Sequence, residues 1–128
     1  MLMSNFLPKY KSLREILTDQ KLATLGDAYV NFIHSLALSK KKGEPTGARV
    51  DSHILAKALK KARLREFLPS RTDRHKQADA AEALIVYAWI KDLTTIEDDV
   101  NILEEHEDST EGFCSILLTA RKNLPFTS

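Results

Sequence analysis

Three carboxylates stand where carboxylates are unfavourable. Asp79 and Glu82 lie three positions apart in the run Ala78-Asp79-Ala80-Ala81-Glu82-Ala83-Leu84-Ile85, part of a segment that is apolar nearly all round as far as Ile90. A helix through that run places both acids on one face. An isolated ionised carboxylate in a low-dielectric interior is disfavoured by several kcal/mol unless it is paired or bound to a cation. Asp27 raises the same difficulty. It sits within the apolar face formed by Leu22, Leu25, Tyr29, Phe32, Ile33, Leu36 and Ala37, next to Gly26. Glycine inside a helix is less favourable than alanine by about 1 kcal/mol, and it permits close backbone approach. Packed helix on helix, Asp27, Asp79 and Glu82 would gather three oxygen donors with no basic residue adjacent in sequence, a set suited to a hard divalent cation such as magnesium. Two other arrangements also accommodate these residues. Asp27 can cap or pair with an arginine such as Arg74, and Asp79 can occupy the exposed first turn of its helix.

The elements that must position these acids are helices. Apolar residues recur at intervals of three and four in Leu13-Ile16-Leu17, in the Leu22 to Ala37 face, and in Ile54-Leu55-Ala58-Leu59-Ala62, where Asp51 or Ser52 is a natural N-cap. Leu64, Phe67 and Leu68 read as a short helical turn before Pro69, and Arg74 to Leu93 as a central, buried helix. Further helices are expected at Thr95 to Glu105 and Ser109 to Leu124. A loop is expected from Lys41 to Val50, around Gly43-Glu44-Pro45-Thr46-Gly47. There is no strand-like alternation and no internal repeat. The expected architecture is all-α, a compact helical bundle forming a single domain over residues 1–128.

With 128 residues and 43% hydrophobic composition, the chain can bury one substantial core. No stretch reaches the roughly 18 to 20 apolar residues that span a bilayer, and Met1 to Pro8 lacks the charged start and apolar middle of a signal peptide. The lone Cys114, in the apolar company of Phe113, Ile116, Leu117 and Leu118, reads as a small buried hydrophobe. These features point to a cytoplasmic protein with no membrane partner. The formal net charge of +1 hides a segregation. From Lys40 to Lys76 twelve Lys and Arg face four acids, whereas Asp92 to Glu111 holds nine acids and no Lys or Arg. A polyanion would bind the first region and avoid the second, although both can also be ordinary solvated helix faces.

Leu25-Gly26-Asp27-Ala28, within LATLGDAYVNFIHSLAL, resembles the ribonuclease III signature, in which a Leu-Gly-Asp-Ala/Ser turn of helix supplies a catalytic aspartate. Ala78-Asp79-Ala80-Ala81-Glu82-Ala83-Leu84-Ile85 resembles the second motif of that family. The resemblance spans roughly Leu17 to Leu93 and is to the endonuclease domain in a short form, without the family's double-stranded-RNA-binding domain. It implies a homodimeric, magnesium-dependent endoribonuclease, with manganese able to replace magnesium. The substrate would be double-stranded or structured RNA, such as a ribosomal RNA precursor. By position, Asp27, Asp79 and Glu82 would be the catalytic residues and metal ligands, and Glu44 would stand for a further family glutamate in the loop after the signature helix.

A basic surface of Lys40, Lys41, Lys42, Arg49, Lys57, Lys60 and Lys61 would meet the RNA through its phosphates and shape. With no second RNA-binding domain, affinity would come from this core alone or from an accessory RNA-binding protein. Two departures stand out: the family's glutamates seven and four residues before the signature aspartate are here Gln20 and Ala23. The nearer is normally a metal ligand, although some short members lack it. A catalytically impaired RNA-binding or ribosome-associated module on the same fold is therefore a second reading. A helical interaction protein with structural buried acids is a third.

The remaining chemistry-bearing residues are quieter. His34, His53, His75 and His106 show no metal-ligand spacing, and only His75, one helical turn before Asp79, is placed to touch a phosphate or a partner subunit. Tyr29, Phe32, Tyr87 and Trp89 read as core or interface aromatics. The acidic stretch after Asp92 lacks the alternating D-x-[DN]-x-[DN]-G pattern of a calcium loop.

Overall fold

Helix starts are set by short polar side chains. In the computed structural model, which describes residues 5–126, six α-helices follow one another: α1 (Leu13–Leu17), α2 (Gln20–Lys42), α3 (Ser52–Lys61), α4 (Arg74–Ile90), α5 (Ile96–Glu105) and α6 (Ser109–Lys122). A single 3-10 turn, Arg65–Phe67, lies between α3 and α4. The N-caps are Ser12, Asp19, Asp51, Asp73, Thr95 and Asp108, and each side chain accepts a hydrogen bond from an amide of the first turn. Of the two expected caps for α3, Asp51 is the one used. α2 stops at Gly43, whose φ of 75° is left-handed and whose N–H donates to Ser39. α4 stops at Ile90, short of the expected Leu93, because Asp92 turns left-handed at φ 59° and the Leu93 N–H donates back to Ala88.

The architecture among the described residues is all-helical, as the periodicity predicts. α4 is the hub. Its residues Ala78, Ala80, Ala81, Ala83, Leu84, Ile85, Val86 and Ala88 are buried on every side, and it packs against α1, α2, α3 and α6. α5 bridges α2 to α6, and Gly112 on α6 lets Leu103 of α5 come close, since a Cβ there would stand 3.0 Å from the Leu103 side chain. Cys114 is buried and free, as expected. No helix is long and apolar enough to cross a membrane among the described residues. The absence of a signal peptide is a reading that falls partly on residues 1–4, outside the described residues.

The α2 face differs in detail from its sequence pattern. Leu22, Ala23, Gly26, Tyr29, Val30, Ile33 and Ala37 point inward, whereas Leu25 and Phe32 are 41% and 54% exposed. The long apolar stripe therefore wraps two sides of the helix, one in the core and one at the surface. Tyr29 is held by two contacts. Its ring stacks on Trp89 of α4 at 5.0 Å between centroids, and its hydroxyl donates to the buried Asp99 of α5 at 2.6 Å.

The tightest contact is between α2 and α4. A Cβ on Gly26 would overlap the carbonyl oxygen of Glu82 and stand 2.5 Å from its carbonyl carbon. The obstacle is backbone and cannot rotate away. Gly26→Ala must push the helices apart, and overpacking of this kind is destabilising by about 3 kcal/mol. We expect a lower urea midpoint for Gly26→Ala together with reduced tryptophan burial; an unchanged midpoint would mean that the two helices are not in backbone contact.

Candidate active site

The Gly26–Glu82 contact decides which side chains meet. Asp27 follows Gly26 on α2, and Glu82 and Asp79 lie one turn apart on α4. The three carboxylates line one cleft of about 240 Å³, together with Gln20, Ala23 and Thr24. Asp79 belongs to the second turn of α4 and is half-buried, which removes the reading that it sits in an exposed first turn. Asp27 is also half-buried, and Glu82 is only 7% exposed.

Electrostatics in the cleft favour a proton or a cation. Burial, a hydrogen bond shared with Asp27, and the charges of Asp27 and Asp79 push the Glu82 carboxyl up to about 8. Burial also raises Asp79, with Asp73 and Asp27 adding to the effect and His75 opposing it. A carboxyl raised to about 8 favours its protonated form at neutral pH. A proton is held here only because two acids are pressed together with little solvent, and the same surplus of negative charge attracts a divalent ion.

Asp27 is organised by neighbours that the sequence pattern does not reveal. Its counter-ion is Arg49, whose Nη2 lies 3.6 Å from Asp27 Oδ2, and not Arg74, which donates to Ser52 Oγ instead. Asn31, one turn along α2, donates to the Asp27 carbonyl at 2.9 Å and to its Oδ1 at 3.3 Å. The same Asn31 accepts from the Val50 N–H at 2.7 Å. Ser35 then accepts from the Ala48 N–H and donates to its carbonyl. Ser39 does the same for Thr46. Three polar side chains spaced by four along α2 thereby pin alternate residues of an extended segment, 46–50, and carry Arg49 to the mouth of the cleft. The detectable signal was this Asn31-Ser35-Ser39 spacing.

The ladder also places Glu44. The segment runs antiparallel to α2, so residue 50 lies beside Asn31 whereas Glu44 lies at the far end, its N–H bonded to the Ser39 carbonyl. Ser39 is twelve residues from Asp27, or about 18 Å at 1.5 Å per residue. Glu44 is exposed, and it is not brought to the cleft.

The expected basic surface divides into two sets. Lys40 pairs with Glu104 at 2.9 Å and donates to Asn101, Lys41 donates to the His106 carbonyl, and Lys61 pairs with Glu111. Lys42, Lys57 and Lys60 are exposed and have no acidic partner among the described residues, and Arg49 faces the cleft. The Arg74 guanidinium lies 3.3 Å from the ring of His75, which stands one helical turn before Asp79.

Whether these residues suit magnesium can be judged from the donors. All are oxygen atoms in an electronegative cleft, which matches a hard cation. Among the described residues, however, no three His, Cys, Asp or Glu side chains stand close enough to hold a metal unaided. The acids share a cleft without converging on one point. Magnesium usually keeps several waters and takes one or two carboxylates, so Asp27 and Glu82 are the pair that would hold it.

Comparison with known proteins bears on the same stretch. A family model described as Ribonuclease III matches residues 20–115, from the first residue of α2 into α6. No curated protein matches the chain.

The raised Glu82 carboxyl has a thermodynamic consequence. Its unfolded value is 4.5 and its folded value about 8, so its stabilising proton is fully bound below 4.5 and is lost as pH rises through about 8. In chelator, the urea midpoint should therefore fall from about pH 6.5 to about pH 8, beyond the range where Asp99, raised by burial to about 6, still titrates. Glu82→Gln should flatten that slope, and millimolar magnesium should restore the wild-type midpoint at the alkaline end. A wild-type slope equal to that of Glu82→Gln would show that Glu82 ionises normally.

Proposed function

This chain belongs to the ribonuclease III family, and from that premise we propose that it is a magnesium-dependent endoribonuclease that hydrolyses phosphodiesters of double-stranded or structured RNA. The observation that carries the reading is the cleft that Asp27, Asp79 and Glu82 line together, where burial and the neighbouring acids raise the Glu82 carboxyl. Carboxylates crowded in this way favour a bound cation.

In this reading Asp27 and Glu82 hold the ion, and Asp79 accepts a hydrogen bond from water on the same wall. When bound, magnesium or manganese supplies Lewis acidity toward the attacking water and neutralises charge on the phosphoryl oxygens. Asn31 fixes the Asp27 carboxylate through Oδ1, so that the oxygen facing the cleft is oriented before substrate arrives. Arg49 is 79% exposed at the mouth, tethered by the ladder and attracted to Asp27 from one side only. Its guanidinium can swing to a phosphate oxygen and grip it bidentately. Lys42, Lys57 and Lys60 supply further phosphate contacts, which makes binding steeply salt-dependent. The duplex would be read by shape and not by sequence.

The exposed Leu25 and Phe32, seven apart on one line of α2, support a homodimer in which this stripe is covered by a second copy. A duplex spanning two such clefts would be cut on both strands. Phe32→Glu is expected to shift the mass measured by light scattering from dimer to monomer; a wild-type monomer would remove this part of the reading.

The second reading, an RNA-binding module without catalysis, is favoured by one specific observation. Ala23 leaves the cleft wall without the carboxylate that would complete a metal cluster. Incubating the protein and its Asp79→Asn variant with duplex RNA and magnesium separates the two. Endonuclease activity predicts cleavage that falls at least about a hundredfold in the variant. Salt-dependent RNA binding with no cleavage by either protein would establish the module instead.

A further inference from the structure

A second depression opens beside the carboxylate cleft and shares a wall with it. Its volume is about 420 Å³, within the range of small-molecule sites, about 300 to 1,000 Å³. Leu17, Leu68 and Pro69 form an apolar floor, Arg71 and Lys76 stand at the rim, and Gln20 lines both this depression and the carboxylate cleft.

The wall opposite α2 is set before any ligand arrives. Arg65 donates from Nη1 to the Pro69 carbonyl at 3.1 Å and from Nη2 to the Ser70 carbonyl at 2.8 Å. The Thr72 hydroxyl donates to the Pro69 carbonyl at 2.6 Å, and Gln77 donates to the Thr72 carbonyl at 2.9 Å. Four hydrogen bonds thus fix residues 69–72, and a fixed wall lowers the entropy lost on binding. They also assign the cations. Arg65 is committed to the loop, whereas Arg71 and Lys76 have no ion-pair partner among the described residues. The amides of α4 are not what attracts an anion here, because Asp73 already accepts from the Lys76 N–H.

The geometry points to a subsite for one unpaired nucleotide of RNA, its base on the Leu17–Leu68–Pro69 floor and its phosphate between Arg71 and Lys76. An apolar floor suits the face of a base taken out of the stack. Arg71 and Lys76, which line the same depression beside Asp73, suit a phosphate. A base within a duplex has both faces covered by its neighbours, so a base lying on this floor is an unstacked one. Because Gln20 separates this site from the carboxylates, the strand leaving the cleft enters the depression directly. RNA with an unpaired nucleotide beside the cleaved bond is then preferred over a fully paired duplex. This inference rests on the nuclease reading of the neighbouring cleft, but the binding site itself does not require catalysis.

The test uses the whole protein in chelator, so that no cleavage occurs. A ribonucleoside monophosphate titrated in should move the amide NMR signals of Leu17, Leu68, Arg71 and Lys76, and Arg71→Glu should weaken that binding about tenfold. Both rim cations are exposed, and the circular dichroism of Arg71→Glu and Lys76→Glu should match the wild type. Inorganic phosphate binding as tightly as the nucleotide would overturn the proposal, because the base would contribute nothing. So would shifts confined to the carboxylate cleft. In magnesium, a duplex with an unpaired nucleotide should be cut faster than a blunt one by the wild type but not by Arg71→Glu. Nucleotide binding at these residues without RNA cleavage would leave the subsite standing and remove the nuclease reading; cleavage without nucleotide binding here would do the reverse.

Discussion

The backbone of α2 at Gly26 rests on the backbone of α4 at Glu82, and much of the molecule follows from that contact. Two helices approach this closely only where neither has a side chain in the way. The alanines of α4, at positions 78, 80, 81, 83 and 88, extend the same economy of volume along its length and allow four other helices to crowd around it. The contact also fixes the rotation of α2, sending Val30 and Ile33 into the core and leaving Leu25 and Phe32 at the surface. Asp27 and Glu82 are brought together because they flank or form the point of contact, so the strongest packing constraint and the least comfortable electrostatics coincide.

That discomfort is balanced locally. A proton on Glu82, the guanidinium of Arg49 and the amide of Asn31 between them stabilise the Asp27 carboxylate. None of the three closes a buried structural ion pair. The proton is labile near neutrality, and Arg49 is largely solvated. Asn31 donates without carrying charge. The charge of the cleft is thus balanced by groups that can exchange. Ala23 and Gln20 line the cleft on the preceding turns of α2 and add no carboxylate, so its acids come from α4 and from Asp27.

The segregation of charge along the chain has a structural use beyond binding. The acidic stretch from Asp92 to Glu111 folds back toward the basic ends of α2 and α3, and Glu104 and Glu111 meet Lys40 and Lys61. Such exposed pairs contribute little stability each, about 0 to 1 kcal/mol. Their larger effect is to sort the cations. Those paired with the acidic stretch are withdrawn from any polyanion, and those near the cleft and its neighbour, Arg49, Arg71 and Lys76, remain available.

How much of this was legible in the sequence depends on the range of the interaction. Helix identities, their caps and the buried character of α4 are local properties. They follow from period, propensity and the placement of Asp, Ser and Thr, and the chain displays them directly. The clustering of Asp27 with Asp79 and Glu82 was legible as a need, because buried acids require partners, and the two motifs matched the family to which the chain belongs. The identities of the partners were not. Arg49 instead of Arg74 beside Asp27, the distance of Glu44 from the cleft, and the pairing of Lys40 and Lys61 with acids all depend on the direction in which a loop and two helices return. The Asn31-Ser35-Ser39 ladder made that choice for the loop, by binding its backbone antiparallel to α2. Sequence thus determined which residues must be buried and which of them were costly to bury. Tertiary structure decided what compensates them, because hydrogen bonds and ion pairs between segments form only after packing has set the distances.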